Sequence, residues 1–166
     1  MSEVRVRDAR PGDGDAIAAI WLANAEQYLE RHPDDFRRPE LAGFAEELDA
    51  SLGDENDVRL RLIAERDDEI AGYLFARIDE PVANAARQMV PHLAETRLWI
   101  AALGTAPAHQ RHGVATALVD AAEEWGRERD ATVSLLDTFA ESELSVPFWE
   151  RRMGYGVRSL VLRKRL

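Results

Sequence analysis

Leu103-Gly104-Thr105-Ala106-Pro107-Ala108-His109-Gln110-Arg111-His112-Gly113-Val114-Ala115-Thr116-Ala117 joins two segments of different periodicity. Upstream, Leu98 to Leu103 is a continuous apolar run, suited to a strand covered on both faces. Downstream, Val114 to Arg129 carries Val114, Leu118, Ala121 and Trp125 at helical spacing. The chain therefore passes from strand to helix through a short polar turn. A helix start leaves backbone N–H groups without intrahelical acceptors, at the positive end of the helix dipole. Gly113 permits close approach, Ala115 takes little room, and Arg111 and His112 add local donors. A pyrophosphate is the natural ligand. Neither the spaced glycines and Lys-Ser/Thr of a P-loop nor a Gly-x-Gly-x-x-Gly dinucleotide turn is present.

Toward the N-terminus, Val4 and Val6 alternate with arginines as a short strand. Pro11-Gly12-Asp13 predicts a turn with an acidic helix cap. Ile17, Trp21, Asn24 and Tyr28 then mark a helix that ends near His32-Pro33. A second helix is expected from Pro39, with Leu41, Phe44, Leu48 and Leu52 as its stripe. Val58 to Ala64 and Ile70 to Ile78, around Asp67-Asp68-Glu69, form a hairpin. Val82, Ala86 and Met89 suggest a short helix stopped by Pro91. Beyond the central helix come a strand at Thr132–Thr138, a short helix at Ser145–Met153 capped by Ser145 or Ser142, and a strand at Val157–Leu166. The order β-α-α-β-β-(short helix)-β-α-β-α-β predicts one α/β (α+β) domain over 1–166, a mixed central sheet flanked by helices.

The length of 166 residues and 46% hydrophobic content suit one globular domain. No apolar stretch approaches a bilayer span of about 20 residues. Met1 to Arg10 lacks the apolar core of a signal peptide. The cytoplasm is the simplest expected location. There is no cysteine, which removes thiolate metal sites and cysteine nucleophiles. The net charge of −10 argues against a duplex nucleic-acid partner. It favours a cationic substrate or simply solubility.

Gln110-Arg111-His112-Gly113-Val114-Ala115 resembles the Gln/Arg-x-x-Gly-x-Gly/Ala signature of the GNAT superfamily of acyl-CoA-dependent N-acyltransferases. Pro107 also stands where that family often has a proline. Leu136-Asp137-Thr138 and Ser145-Val146-Pro147-Phe148-Trp149-Glu150-Arg151-Arg152-Met153-Gly154-Tyr155 resemble its second block. The resemblance implies the GNAT-like fold, with a V-shaped opening between the parallel strands Leu98–Thr105 and Thr132–Thr138. It implies acetyl-CoA as cosubstrate, with Gln110 to Thr116 holding the pyrophosphate and backbone near Leu103 and Thr105 pairing with the pantetheine arm. It further implies direct attack by a primary amine, small-molecule or peptide. At the family's usual Asn this chain has Ser142. At the usual Tyr it has Trp149 or Glu150, depending on alignment, so no phenol is carried over.

Asp137 is a candidate general base working through water, or a carboxylate that organises the sheet end. His109 and His112, three apart, lack further ligands at fitting spacing, and no metal is expected. Tyr28 and Glu26 lie where the family builds its acceptor wall, although Tyr28 also suits packing. Trp21, Trp99 and Trp125 fit core positions. The leading expectation is acetyl transfer to an amine, probed by an amine panel. The rivals are a non-catalytic acyl-CoA-binding or sensing module and an antitoxin-like or scaffolding protein without cofactor. The acceptor's identity and a homodimer are left open.

Overall fold

Alternating apolar residues build the sheet, and amphipathic helices cover it. The computed structural model describes residues 3–54 and 56–166. Its strands are Arg5–Asp8 (β1), Arg59–Arg66 (β2), Glu69–Asp79 (β3), Arg97–Thr105 (β4) and Val133–Leu136 (β5). Its helices are Gly14–Arg31 (α1), Phe44–Leu52 (α2), Val114–Arg127 (α3) and the single turn Ser145–Pro147 (α4). The chain divides into two units, Met1–Leu136 and Asp137–Leu166.

In the first unit the strands lie in chain order, β1 to β4 antiparallel and β5 parallel to β4. The parallel step needs a crossover, and α3 is that crossover. Between β2 and β3, Asp67 and Asp68 both adopt left-handed φ, +56° and +61°. That turn geometry matches the twist of a tight hairpin. One sheet face contributes Ile63 and Tyr73 to a cluster with Ile17, Ala18, Ile20, Leu48 and Leu52 from α1 and α2. On the other face, Gly72 brings β3 close to Val114 and Leu118 of α3. A Cβ at Gly72 would lie 2.7 Å from Val114 Cγ1. Leu118 and Val119 are fully buried there. Each such side chain contributes about 1.5–3 kcal/mol by leaving water.

Several elements differ from expectation. Asp13 stands at the N-cap position of α1 but makes no capping bond. Asp49 of α2 caps the helix in its place, accepting the N–H groups of Gly12 (2.9 Å) and Gly14 (2.8 Å). The second helix begins at Phe44 after left-handed Gly43, not at Pro39, so Leu41 lies outside it. The Val82–Met89 helix is replaced by two 3-10 turns, Ala85–Arg87 and Pro91–Ala94, and Pro91 starts the second instead of stopping the first. Buried Arg97 organises this connection by donating to the carbonyls of Glu80, His92 and Glu95. The buried stripe of α3 is Val114, Leu118, Val119, Ala122 and Gly126, leaving Ala121 and Trp125 half-buried. Trp125 lies beneath Arg129 at 4.3 Å, and Trp99 beneath Arg77 at 5.3 Å. Trp21 is 42% exposed. Trp99 and Trp125 are platforms at the surface, where a large ring covers apolar area while a cation stacks on it, whereas Trp21 packs against Phe44 at 6.3 Å.

In the second unit, α4 runs into a π-turn over Phe148–Arg152, closed by Met153 N–H donating to Phe148 C=O at 3.1 Å. The Ser142 hydroxyl accepts the Ser145 N–H at 3.0 Å, so Ser142 is the cap of this helix. The expected strand at Val157–Leu166 does not form, and Val161 and Leu162 are 91% and 90% exposed. Alternation alone makes no strand, because a strand needs a ladder partner. Residues 137–166 contain no other strand to supply one. Among the described residues, no helix is long and apolar enough to cross a membrane.

Candidate functional site

The ladder between the two parallel strands is short. β4 and β5 pair only from Arg97↔Val133 to Ile100↔Leu136. On its other side, β4 carries an irregularity: Phe75 pairs with Ala102, and the next residue, Ala76, pairs with Ile100. Ala101 is thus the extra residue of a β-bulge, which bends a strand and alters its twist. From Ala101 to Thr105, β4 continues past the end of β5. β5 borders β4 alone and is an edge strand of the sheet rather than a central one.

Two side-chain amides of α1 anchor the connection that leaves β4. Asn24 Nδ2 donates to the Thr105 carbonyl at 2.9 Å, and Gln110 Nε2 donates to Gln27 Oε1 at 3.0 Å. Asn24 and Gln27, three apart, share one helix face. They hold both ends of the Thr105–Gln110 connection. The Ala106 N–H donates to Ala71 C=O of β3 at 2.9 Å, completing the anchorage.

Within the connection, Pro107–His109 is a 3-10 turn that buries His109. Its Nδ1 is 3.4 Å from Arg66 Nη1, and its Nε2 is 3.3 Å from Glu69 Oε2. A guanidinium can only donate, so Nδ1 accepts and Nε2–H faces the carboxylate. His112 instead donates from Nδ1 to the Gln110 carbonyl at 2.8 Å. The two histidines serve different partners. Asn24, Gln27 and this Arg66–His109–Glu69 chain were missed from sequence, where only the (i, i+3) spacing of the two amides hinted at a shared role.

The loop then presents its amides. Arg111 (φ +63°) and Gly113 (φ +83°) both adopt left-handed backbone. Such alternation turns neighbouring N–H groups toward one concavity. The first intrahelical bond of α3 is Ala117 N–H to Gly113 C=O at 2.9 Å. Among the described residues, the backbone N–H groups from Arg111 through Thr116 have no acceptor. A Cβ built at Gly113 would meet nothing within 4 Å, so the approach is open. The donors and space fit a phosphate-bearing ligand. Leu103, Thr105, Gln110, Arg111, His112, Gly113, Val114, Ala115 and Thr116 thus fall on one continuous strand–turn–helix.

Above β4 lies Tyr73, the strand partner of Gly104. Burial pushes its phenol above the ordinary value, so it stays protonated. The remaining candidates belong to the second unit. Asp137 and Glu150 are exposed. Trp149 is buried, edge-on to Phe148 (5.0 Å) and Tyr155 (5.1 Å). Ser142 is buried with its hydroxyl accepting the capping bond described above.

Known structures share this architecture. A mutant form of the BH1408 protein from Bacillus halodurans has a TM-score of 0.82 at 15% identity, covering 98% of this chain and 99% of that one. An acetyltransferase from Trypanosoma brucei has a TM-score of 0.64 at 17% identity, covering 99% and 100%. The aminoglycoside N-acetyltransferase AAC(6')-Iy, solved in complex with CoA, has a TM-score of 0.63 at 21% identity, covering 100% and 97%. At these identities the likeness shows the fold alone. No curated protein matches the chain. The pattern of the Acetyltransferase (GNAT) family matches residues 18–155, a span that includes β4, the open amide loop and α3. With the bulged strand, the parallel pair that parts after Ile100 and the loop all inside that match, the chain belongs to the GNAT acetyltransferase family.

Proposed function

We propose that this protein is an N-acetyltransferase that moves an acetyl group from acetyl-CoA to a primary amine by direct attack. The carrying observation is the row of unpartnered amides from Arg111 to Thr116, with open space above Gly113. Backbone there would hold the pyrophosphate. The β4 segment Ala101–Thr105, beyond the end of β5, offers backbone for pairing with the amides of the pantetheine arm. The similarly folded AAC(6')-Iy in complex with CoA, and with a CoA-linked acetylneamine analogue, supports both halves of this assignment. The chain contributes positioning and backbone N–H groups aimed at the thioester oxygen. An ammonium acceptor would lose its proton through water, with Asp137 the candidate base. Trp149 and Glu150 are the other sequence candidates for catalysis, and Ser142 is one for acyl-CoA binding. No acyl-enzyme is expected, since the sequence has no cysteine and shows no serine triad.

The lack of a phenol at either aligned position, with Trp149 packed edge-on to Phe148 and Tyr155, favours a second reading, a non-catalytic acyl-CoA sensor. One experiment separates these readings from a scaffold that binds no cofactor. At about a hundredfold excess over its Kd, acetyl-CoA stabilises the folded state by about 2.7 kcal/mol. A thermal midpoint rise of roughly 5–10 °C is expected for a chain of this size. Gly113→Glu, which places a carboxylate in the phosphate space, abolishes the rise. Release of CoA with members of an amine panel then identifies the enzyme. Retained binding in Gly113→Glu removes the loop as the phosphate site. Binding without CoA release for any amine leaves the sensor.

A further inference from the structure

Tyr73 is 2% exposed and lies in the apolar cluster between the sheet, α1 and α2. A tyrosine buried so fully ordinarily finds a partner for its hydroxyl. Among the described residues, no hydrogen bond uses this one, and no fully buried side-chain polar atom lacks a partner. The hydroxyl oxygen therefore retains access to open space while its ring is buried.

Its position follows from Gly104. A Cβ added to Gly104 would lie 2.4 Å from Tyr73 Cε1 and 3.0 Å from the hydroxyl oxygen. The tip of the ring thus occupies the space that any side chain at 104 would need. Phe75, at 5.3 Å between ring centroids, backs it from the same strand. Gly104 belongs to the segment of β4 beyond the Ala101 bulge, where the strand has left β5. A glycine, a ring held over it and a hydroxyl with no protein hydrogen-bond partner thus coincide on the stretch of β4 that β5 does not pair.

Resting on the acetyl-CoA assignment, we infer that the Tyr73 hydroxyl donates a hydrogen bond to the carbonyl oxygen of the bound acyl thioester. The amine nitrogen attacks the carbonyl carbon, the C–N bond forms and the C–S bond breaks. CoA leaves as a thiolate and takes up the proton released by the substrate nitrogen through water. Tyr73 keeps its own proton throughout. Its phenol is a weaker acid than a thiol, whose ordinary pKa is about 8.5, so donation of a hydrogen bond and not of the proton is its role.

The test compares the parent with Tyr73→Phe, which keeps the ring over Gly104. Three readouts are taken: acetyl-CoA affinity by calorimetry, steady-state kinetics with an accepted amine, and the infrared carbonyl stretch of bound 13C-labelled acetyl-CoA. Loss of one preorganised donor lowers kcat by roughly 100- to 1000-fold. Acetyl-CoA affinity is expected to fall far less than kcat, the shape of the pH profile to stay the same, and the carbonyl stretch to move to higher frequency. Equal kcat and an unchanged stretch overturn the inference, as does an alkaline limb that disappears with the hydroxyl. If the parent itself binds no acetyl-CoA, the acetyltransferase assignment fails and this inference falls with it. If the parent binds and the two proteins are indistinguishable, only the role of Tyr73 falls.

Discussion

Asp13 occupies a helix cap position, yet its carboxylate is turned to Arg7, with both guanidinium nitrogens donating at 2.8 and 2.9 Å. Burial works to raise its pKa, but hydrogen bonds from Arg7 and the Arg10 N–H outweigh it and hold the carboxyl below its ordinary range. In return, the hydrogen bond from Arg7 to Asp13 lifts the guanidinium above its usual value. Removing one partner of such a buried pair is costly because the other charge remains. Arg7→Ala is expected to destabilise by about 3 kcal/mol. The sign of the pH effect is set by the depressed carboxyl. Its stabilisation is fully present above the unfolded value of about 3.9 and is lost as pH falls through the lower folded value. Urea unfolding of the parent and Asp13→Asn should therefore show a stability gap at pH 6 that closes on acidification below about pH 4. A gap that persists in strong acid would mean that packing, not charge, makes Asp13 matter.

At the scale of elements, the site depends on how α1 meets the connection after β4. Asn24 satisfies the Thr105 carbonyl, and Gln27 engages Gln110. Asn24→Ala leaves that half-buried carbonyl without its donor, a loss of about 1 kcal/mol. It also frees the start of the connection while leaving the Arg111–Thr116 amides in place. The expected result is weaker acetyl-CoA binding, read by calorimetry, with only a small fall in thermal midpoint. Unchanged affinity would show that α3 and its contacts at Gly72 hold the loop without help. The turn glycine and small residues of this loop were legible in the sequence because helix-start chemistry is local. The anchoring amides were not, because Asn24 and Thr105 meet only after α1 has packed on the sheet.

For the whole molecule, the net charge of −10 sets the long-range field. The acidic residues around the end of α1 stand among basic ones. Glu26 pairs with Arg38 at 3.2 Å, and Arg31 and Arg37 share the same stretch. Glu30, Asp34 and Asp35 are exposed there. Steering of a cationic amine therefore rests on the overall field rather than on one cluster. Salt shortens the reach of that field to about 10 Å at 0.1 M. The apparent kcat/KM for the amine should fall between low and high ionic strength. A flat or rising response would leave the acidity as a matter of solubility.

Periodicity and turn chemistry determined the hairpin at Asp67-Asp68 and the strand–turn–helix around Gly113, because each depends on residues close in the chain, while the parallel pairing of β4 and β5 came from the family resemblance. The motifs at Gln110–Ala115 and Phe148–Tyr155 carried the family resemblance for the same reason. Only the tertiary structure decided which carboxylate caps α1, which face of α3 is buried and where the Ala101 bulge falls in the β3–β4 ladder. It also placed the Tyr73 hydroxyl over Gly104 and left Val157–Leu166 without a ladder partner within the second unit. These outcomes turn on distance between residues remote in sequence, and a strand, a cap or a buried phenol acquires its role only when such a partner arrives or fails to arrive.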